Sequence, residues 1–116
     1  MRRAGHPQAN AVNTLDLGER VTCAAFQAGV SISAGTDAED EDNKDRSPLK
    51  DELVLLQDGV GMRPADAIHS ATAVGARAPG EEKEMGTVGP GKLANLVFVA
   101  GNPLDGVQAF STVVTR

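Results

Sequence analysis

The residue best placed for chemistry is Asp37, a single carboxylate at the end of a short apolar run. Val30-Ser31-Ile32-Ser33-Ala34-Gly35-Thr36 precedes it, with apolar Val30, Ile32 and Ala34 alternating with small Ser31, Ser33 and Gly35. Period-two alternation over such a length predicts a strand over residues 30–35. Small residues on one side let other chain pack closely, which suits the inside of a sheet. In α/β folds the C-terminal tips of parallel strands are where ligands and catalytic groups collect. A carboxylate there can hold a metal or act as a base in metal-assisted hydrolysis. It can equally cap the turn that follows. The residues alone leave both roles open.

Other chemistry-bearing residues point less far. Gly86 to Lys92 spells G-x-x-x-x-G-K, the spacing of a phosphate-binding loop. Such a loop needs a strand before it, a helix after it, and Ser or Thr beside the lysine. Here Leu93 follows the lysine, Glu81-Glu82-Lys83-Glu84 precedes the motif, and a β-type run comes after. Phosphate binding is not expected. The acidic stretch from Asp37 to Arg46 fails as a calcium loop, because its sixth position from Asp37 is Asp42 where glycine is required. A solvated loop of like charges is the expectation. Of the two histidines, His6 lies in a stretch without periodicity. His69 has Asp66 behind it but no second histidine or carboxylate three or four residues ahead. It reads as a surface histidine rather than a metal ligand. Cys23 is alone, so no intrachain disulfide can form and a reducing compartment is expected. Its apolar helical setting predicts a small buried hydrophobe.

The elements that position Asp37 come from a chain of 116 residues, 41% apolar and 23% charged, which is enough for one globular domain. With three Phe and no Trp or Tyr, the core has to be built from Ala, Val and Leu. A net charge of −5 argues against nucleic acid and anionic membrane as partners. No apolar run follows Arg2 and Arg3, so a signal peptide is not expected, and no segment has transmembrane length. A cytoplasmic location is the expectation.

Residues 1–13 carry no periodicity and predict an irregular lead-in. Leu17, Val21, Ala24 and Ala28, with Ala25 and Phe26 widening the stripe, predict a helix over residues 14–28, with Thr14 as N-cap and Gly29 as its stop. Ser47 and Pro48 open a helix over residues 47–58, with Leu49, Leu53 and Leu56 as its stripe. A third helix is predicted over residues 64–78, with Ile68, Ala71 and Gly75 on one face. Glycine-rich turns then lead to β-type runs at Leu96-Val97-Phe98-Val99 and Thr112-Val113-Val114. The order is helix, strand, helix, helix, strands.

Ala28-Gly29-Val30 followed by Gly35-Thr36-Asp37-Ala38 resembles the last barrel strand of metal-dependent amidohydrolases, above all imidazolonepropionase-like and Xaa-Pro dipeptidase-like members. The resemblance continues through Glu52-Leu53-Val54-Leu55-Leu56, Gly61-Met62-Arg63-Pro64-Ala65-Asp66-Ala67-Ile68 and Ser70-Ala71-Thr72. It ends with Gly86-Thr87-Val88-Gly89-Pro90-Gly91-Lys92-Leu93-Ala94-Asn95-Leu96-Val97-Phe98-Val99 and Gly101-Asn102-Pro103-Leu104. Against that pattern Val60 looks like a one-residue insertion, and Asn95 stands where Asp is usual.

The resemblance implies an α/β architecture: the C-terminal piece of a TIM-type (β/α)8 barrel over residues 1–80, then part of a small β-sandwich over residues 81–116. Residues 30–35 would be the eighth barrel strand. Asp37 would be the metal ligand and general base that activates a water for attack on a carbon–nitrogen bond. The implied cofactor is a divalent metal, zinc first. The implied substrate is a small amide or peptide-like molecule. A full barrel needs about 250 residues, and the family's His-x-His and middle-strand histidines have no counterpart here. The chain is therefore expected to be a C-terminal portion, inactive alone, that works as a homo-oligomer or with a complementing chain.

Overall fold

The computed structural model describes residues 7–37, 48–111 and 113–115. Helix α1 spans Pro7–Gln27, longer at its start than the periodicity predicts. Proline is pre-set for a first helical turn, and Ala9 and Ala11 extend a helix without needing a buried stripe. Thr14 therefore lies inside α1 rather than capping it. The predicted stop holds. Gly29 adopts φ 87, with Gly29 N–H donating to Phe26 C=O and Val30 N–H to Ala25 C=O, both at 3.0 Å. That paired arrangement ends a helix by satisfying its last carbonyls.

Helix α2 spans Pro48–Val54 and passes into a π-helical turn, Leu55–Gly59. The N–H of Val60 donates to the Leu55 carbonyl at 3.0 Å, five residues back. A π turn is how a helix absorbs one extra residue without shifting the rest of its face. Val60, just past that turn, is buried. The proposed cap Ser47 lies outside the described residues.

The predicted third helix is two helices. Helix α3 spans Pro64–Ala71 and α4 spans Ala73–Arg77. Thr72 breaks them apart with φ −117 and ψ −87, outside the helical region. Its hydroxyl donates to the Ile68 carbonyl at 2.8 Å and its N–H to His69 at 3.3 Å. A threonine that bonds back to its own helix favours an end over continuation.

Strand β1 (Phe98–Val99) pairs antiparallel with β2 (Val113–Thr115), matching Phe98 to Thr115 and Val99 to Val113 across an irregularity in register. Among the described residues β structure is limited to this pair. A 3₁₀ helix, Val107–Ser111, runs just before β2. It contributes Val107 to the core, whose N–H donates to Gln57 Oε1 at 3.0 Å.

The core joins α2, the π turn, α3 and the 3₁₀ helix through Leu53, Leu56, Val60, Met62, Ala67 and Val107. Burying each larger apolar side chain contributes about 1.5–3 kcal/mol. Cys23 and Phe26 of α1, with Ile32 and Ala34, pack against the edge of that core. Cys23 is half-buried rather than buried, and packs there as an apolar filler.

Expectations fail on burial in three places, the first being Leu49 of the α2 stripe, which is exposed. Most of the predicted stripe of α1 faces outward, with Leu17 59% and Val21 60% exposed and Ala24 and Ala28 exposed, while Phe26 at its widened edge turns inward with Cys23. The helix has two apolar faces and the core covers one of them. Likewise residues 30–37 form no hydrogen-bonded strand. A strand needs a neighbour to complete its ladder, and among the described residues none lies beside this segment. The alternation survives only as packing. Ile32 and Ala34 are half-buried, Ser31, Ser33 and Gly35 are exposed, and Val30 is 54% exposed.

Candidate functional site

Asp37 is held at the end of a tethered segment. Gly29 turns the chain out of α1, Ile32 and Ala34 dock on the core, and Ala34 N–H donates to the Ser70 carbonyl at 3.0 Å. Ser70 is itself buried, with its hydroxyl donating to the Ala67 carbonyl at 2.6 Å. Three residues past the tether, Asp37 is exposed and adopts φ 49. It is the single non-glycine residue with positive φ among the described residues. Aspartate tolerates that region better than most residues, yet the conformation still costs about 1 kcal/mol. Unfavourable backbone kept at an exposed carboxylate is a recurrent feature of functional positions.

Among the described residues no group of three or more His, Cys, Asp or Glu side chains is placed to hold a metal ion. Zinc takes three or four protein ligands, so the described residues do not fit a complete metal site. His6 and the acidic loop after Asp37 lie outside the described residues.

His69 is exposed on α3, as expected for a surface histidine. It helps line a cleft of about 200 Å³ between the exit of α1 and α3–α4, together with Asp66, Arg77 and Ser31 over a floor of Phe26 and Ile32. Asp37 is not part of that cleft. Asp66 is already engaged: Arg63 Nε and Nη2 donate to its two oxygens at 2.8 and 3.1 Å. These hydrogen bonds hold the Asp66 carboxyl below the usual carboxylate range and raise the Arg63 guanidinium.

The G-x-x-x-x-G-K stretch has a structural use in place of phosphate binding. Lys92 Nζ donates to the Glu82 carbonyl and to Thr87 Oγ1, each at 2.7 Å, and Leu93 N–H donates to the Glu84 carbonyl at 2.8 Å. The lysine clasps its own loop. A wider apolar groove of about 640 Å³ lies beside it, bounded by Leu53, Ile68, Met85, Leu96, Val97 and Phe110.

Sequence reasoning missed Ser70, whose carbonyl anchors the Asp37 segment, and Thr72, where the helix breaks. Small polar residues inside a helical pattern carry that signal weakly, since the usual reading is close helix contact. No helix among the described residues is long and apolar enough to cross a membrane.

Comparison with known proteins adds the family. Over 78 residues the chain is 40% identical to the 5-methylthioadenosine/S-adenosylhomocysteine deaminase of Moorella thermoacetica (strain ATCC 39073 / JCM 9320), a match covering 62% of this chain. It spans 18% of that relative's length. No solved structure matches. The model of the amidohydrolase family matches residues 18–115. That span takes in Asp37, its tether at Ser70, the broken helix and the clasped loop, and the chain belongs to the amidohydrolase family.

Proposed function

We propose that this chain is the part of a carbon–nitrogen hydrolase that carries Asp37, with residues 30–35 as the last strand of a TIM-type barrel and residues 81–116 as part of a β-sandwich. The observation that carries this reading is Asp37 itself: an exposed carboxylate in a left-handed conformation, tethered three residues upstream, in a chain of the amidohydrolase family. A carboxylate so placed can take a proton from an attacking water or occupy one position of a divalent metal. The other ligands then come from outside the described residues. Zinc is the metal expected from the family. The substrate is a small molecule with a carbon–nitrogen bond. Amide or peptide-like compounds are one class. The name of the Moorella relative supplies the other, 5-methylthioadenosine or S-adenosylhomocysteine.

The test is turnover of both classes by the purified chain, with and without zinc, and then with a polypeptide bearing the remaining ligands. The chain alone should be inactive and the combination active, with Asp37→Asn abolishing the restored activity. Chelator-sensitive turnover by the isolated chain would overturn the shared site. Restored activity that survives Asp37→Asn would overturn the role of Asp37.

A second reading is a non-catalytic module that completes a partner's barrel. It is favoured by the bare Ser31, Ser33 and Gly35 face and the outward Leu17 and Val21 of α1. Exposed apolar surface beside an unpaired segment is a common mark of an interface. Size-exclusion chromatography together with the turnover assay separates the readings, because a module of this kind forms a stoichiometric complex with no gain of turnover.

A further inference from the structure

The Lys92 clasp, the helix break at Thr72 and the tether of Asp37 are connected in space. The loop begins where α4 ends, with Glu81 N–H donating to the Ala76 carbonyl at 2.8 Å. Gly86, at φ 97, lies directly on the broken helix. A methyl placed there would sit 2.6 Å from Ala76 Cβ, 2.9 Å from the Thr72 carbonyl oxygen and 3.3 Å from Ala73 Cα. The loop therefore bears on the residues at which α3 gives way to α4. On the far side of the same break, the Ser70 carbonyl accepts from Ala34 at 3.0 Å. In one continuous helix that carbonyl would point along the axis toward residue 74.

We infer that the clasped loop over residues 82–93 is a positioning device for Asp37: Gly86 holds the break at Thr72, which presents the Ser70 carbonyl to Ala34 and sets where residue 37 leaves its segment. Lys92 is a positioning residue in this scheme, acting through the backbone of its own loop. The G-x-x-x-x-G-K spacing fits the task. Gly86 permits the close approach, and a lysine six residues later reaches back to lock it. The inference deepens the role proposed for Asp37 and rests on it.

The test is solution NMR on the full chain, reading a coupling across the Ala34–Ser70 hydrogen bond, hydrogen exchange at Ala34, and the Asp37 side-chain carboxyl resonance. In the unsubstituted chain the coupling should be present. Lys92→Met, which keeps the alkyl stem, should speed Ala34 exchange about tenfold or more and move the Asp37 carboxyl signal. The amide of Ala67 in the core should stay protected. Lys92→Arg should restore the original pattern, and Thr72→Ala, which favours a continuous helix, should act like Lys92→Met. Absence of the coupling overturns the inference. So does an unmoved Ala34 or Asp37 in both variants whose core stays protected. Should Lys92→Met expose Ala67 as well, Thr72→Ala and the coupling decide the matter. A silent Asp37→Asn in the turnover assay removes the catalytic reading and leaves this mechanical link standing.

Discussion

Replacing Gly86 with alanine is the sharpest single perturbation of the fold. Gly86 adopts φ 97, a left-handed conformation that costs a side-chain-bearing residue about 1–2 kcal/mol. The added methyl would lie 2.6 Å from Ala76 Cβ and 2.9 Å from the Thr72 oxygen. Carbon atoms in good contact sit about 3.5–4.0 Å apart, so the shortfall is close to an ångström. Neither neighbour can move freely, since one is a backbone oxygen that accepts from Ala76 N–H at the start of α4 and the other the Cβ of a buried residue. Overpacking of this kind costs about 1–3 kcal/mol. Combined with the backbone term, Gly86→Ala should destabilise the chain by about 2–5 kcal/mol. Urea denaturation followed by circular dichroism reads this as a lowered midpoint with an unchanged slope. A loss below about 1 kcal/mol would refute the reasoning, because the loop would then yield without cost and could not brace the break.

Three further outcomes follow from the same structure. Leu56→Ala should cost about 2–5 kcal/mol, since Leu56 is buried where the π turn meets the core and its loss leaves a cavity there; a loss under about 1 kcal/mol in denaturation would count against that core. Asp66 is held low by Arg63, so the pair's contribution is present at neutral pH and fades as pH falls through the lowered Asp66 value. Arg63→Ala should bring the Asp66 titration, followed by carboxyl NMR, back up to the ordinary range, and an unchanged titration would dissolve the pair. Asp37→Gly should leave stability unchanged or raise it by up to about 1 kcal/mol, because glycine relieves the positive φ. A clear loss of stability would show the aspartate to be a structural cap.

Much of the local structure was legible, for reasons that lie within a few residues. Gly29 stops α1 because the turn it makes needs positive φ, and Pro48 and Pro64 open α2 and α3 because their fixed φ suits a first turn. Leu53 and Leu56 are buried as their spacing predicts. Leu49 was not separable from them on spacing, yet it is exposed. The break at Thr72 was hidden inside a stretch whose apolar spacing runs on through it. What interrupts that stretch is a hydroxyl bonding back to Ile68 and a loop pressing from Gly86, and the loop arrives from fourteen residues away.

By itself the sequence determined where Asp37 lies in the chain, the alternation that leads to it, the helix stops and starts, and the motifs that mark an amidohydrolase. Those depend on backbone preferences and on spacing, which are local. Only the tertiary structure decided which apolar face of α1 is covered, that residues 30–37 have no strand neighbour among the described residues, and that Ser70 holds Ala34. It also turned the G-x-x-x-x-G-K stretch from a rejected phosphate loop into a brace. These outcomes depend on what stands opposite each element, and complementarity across a gap leaves no periodic trace in the residues on one side of it.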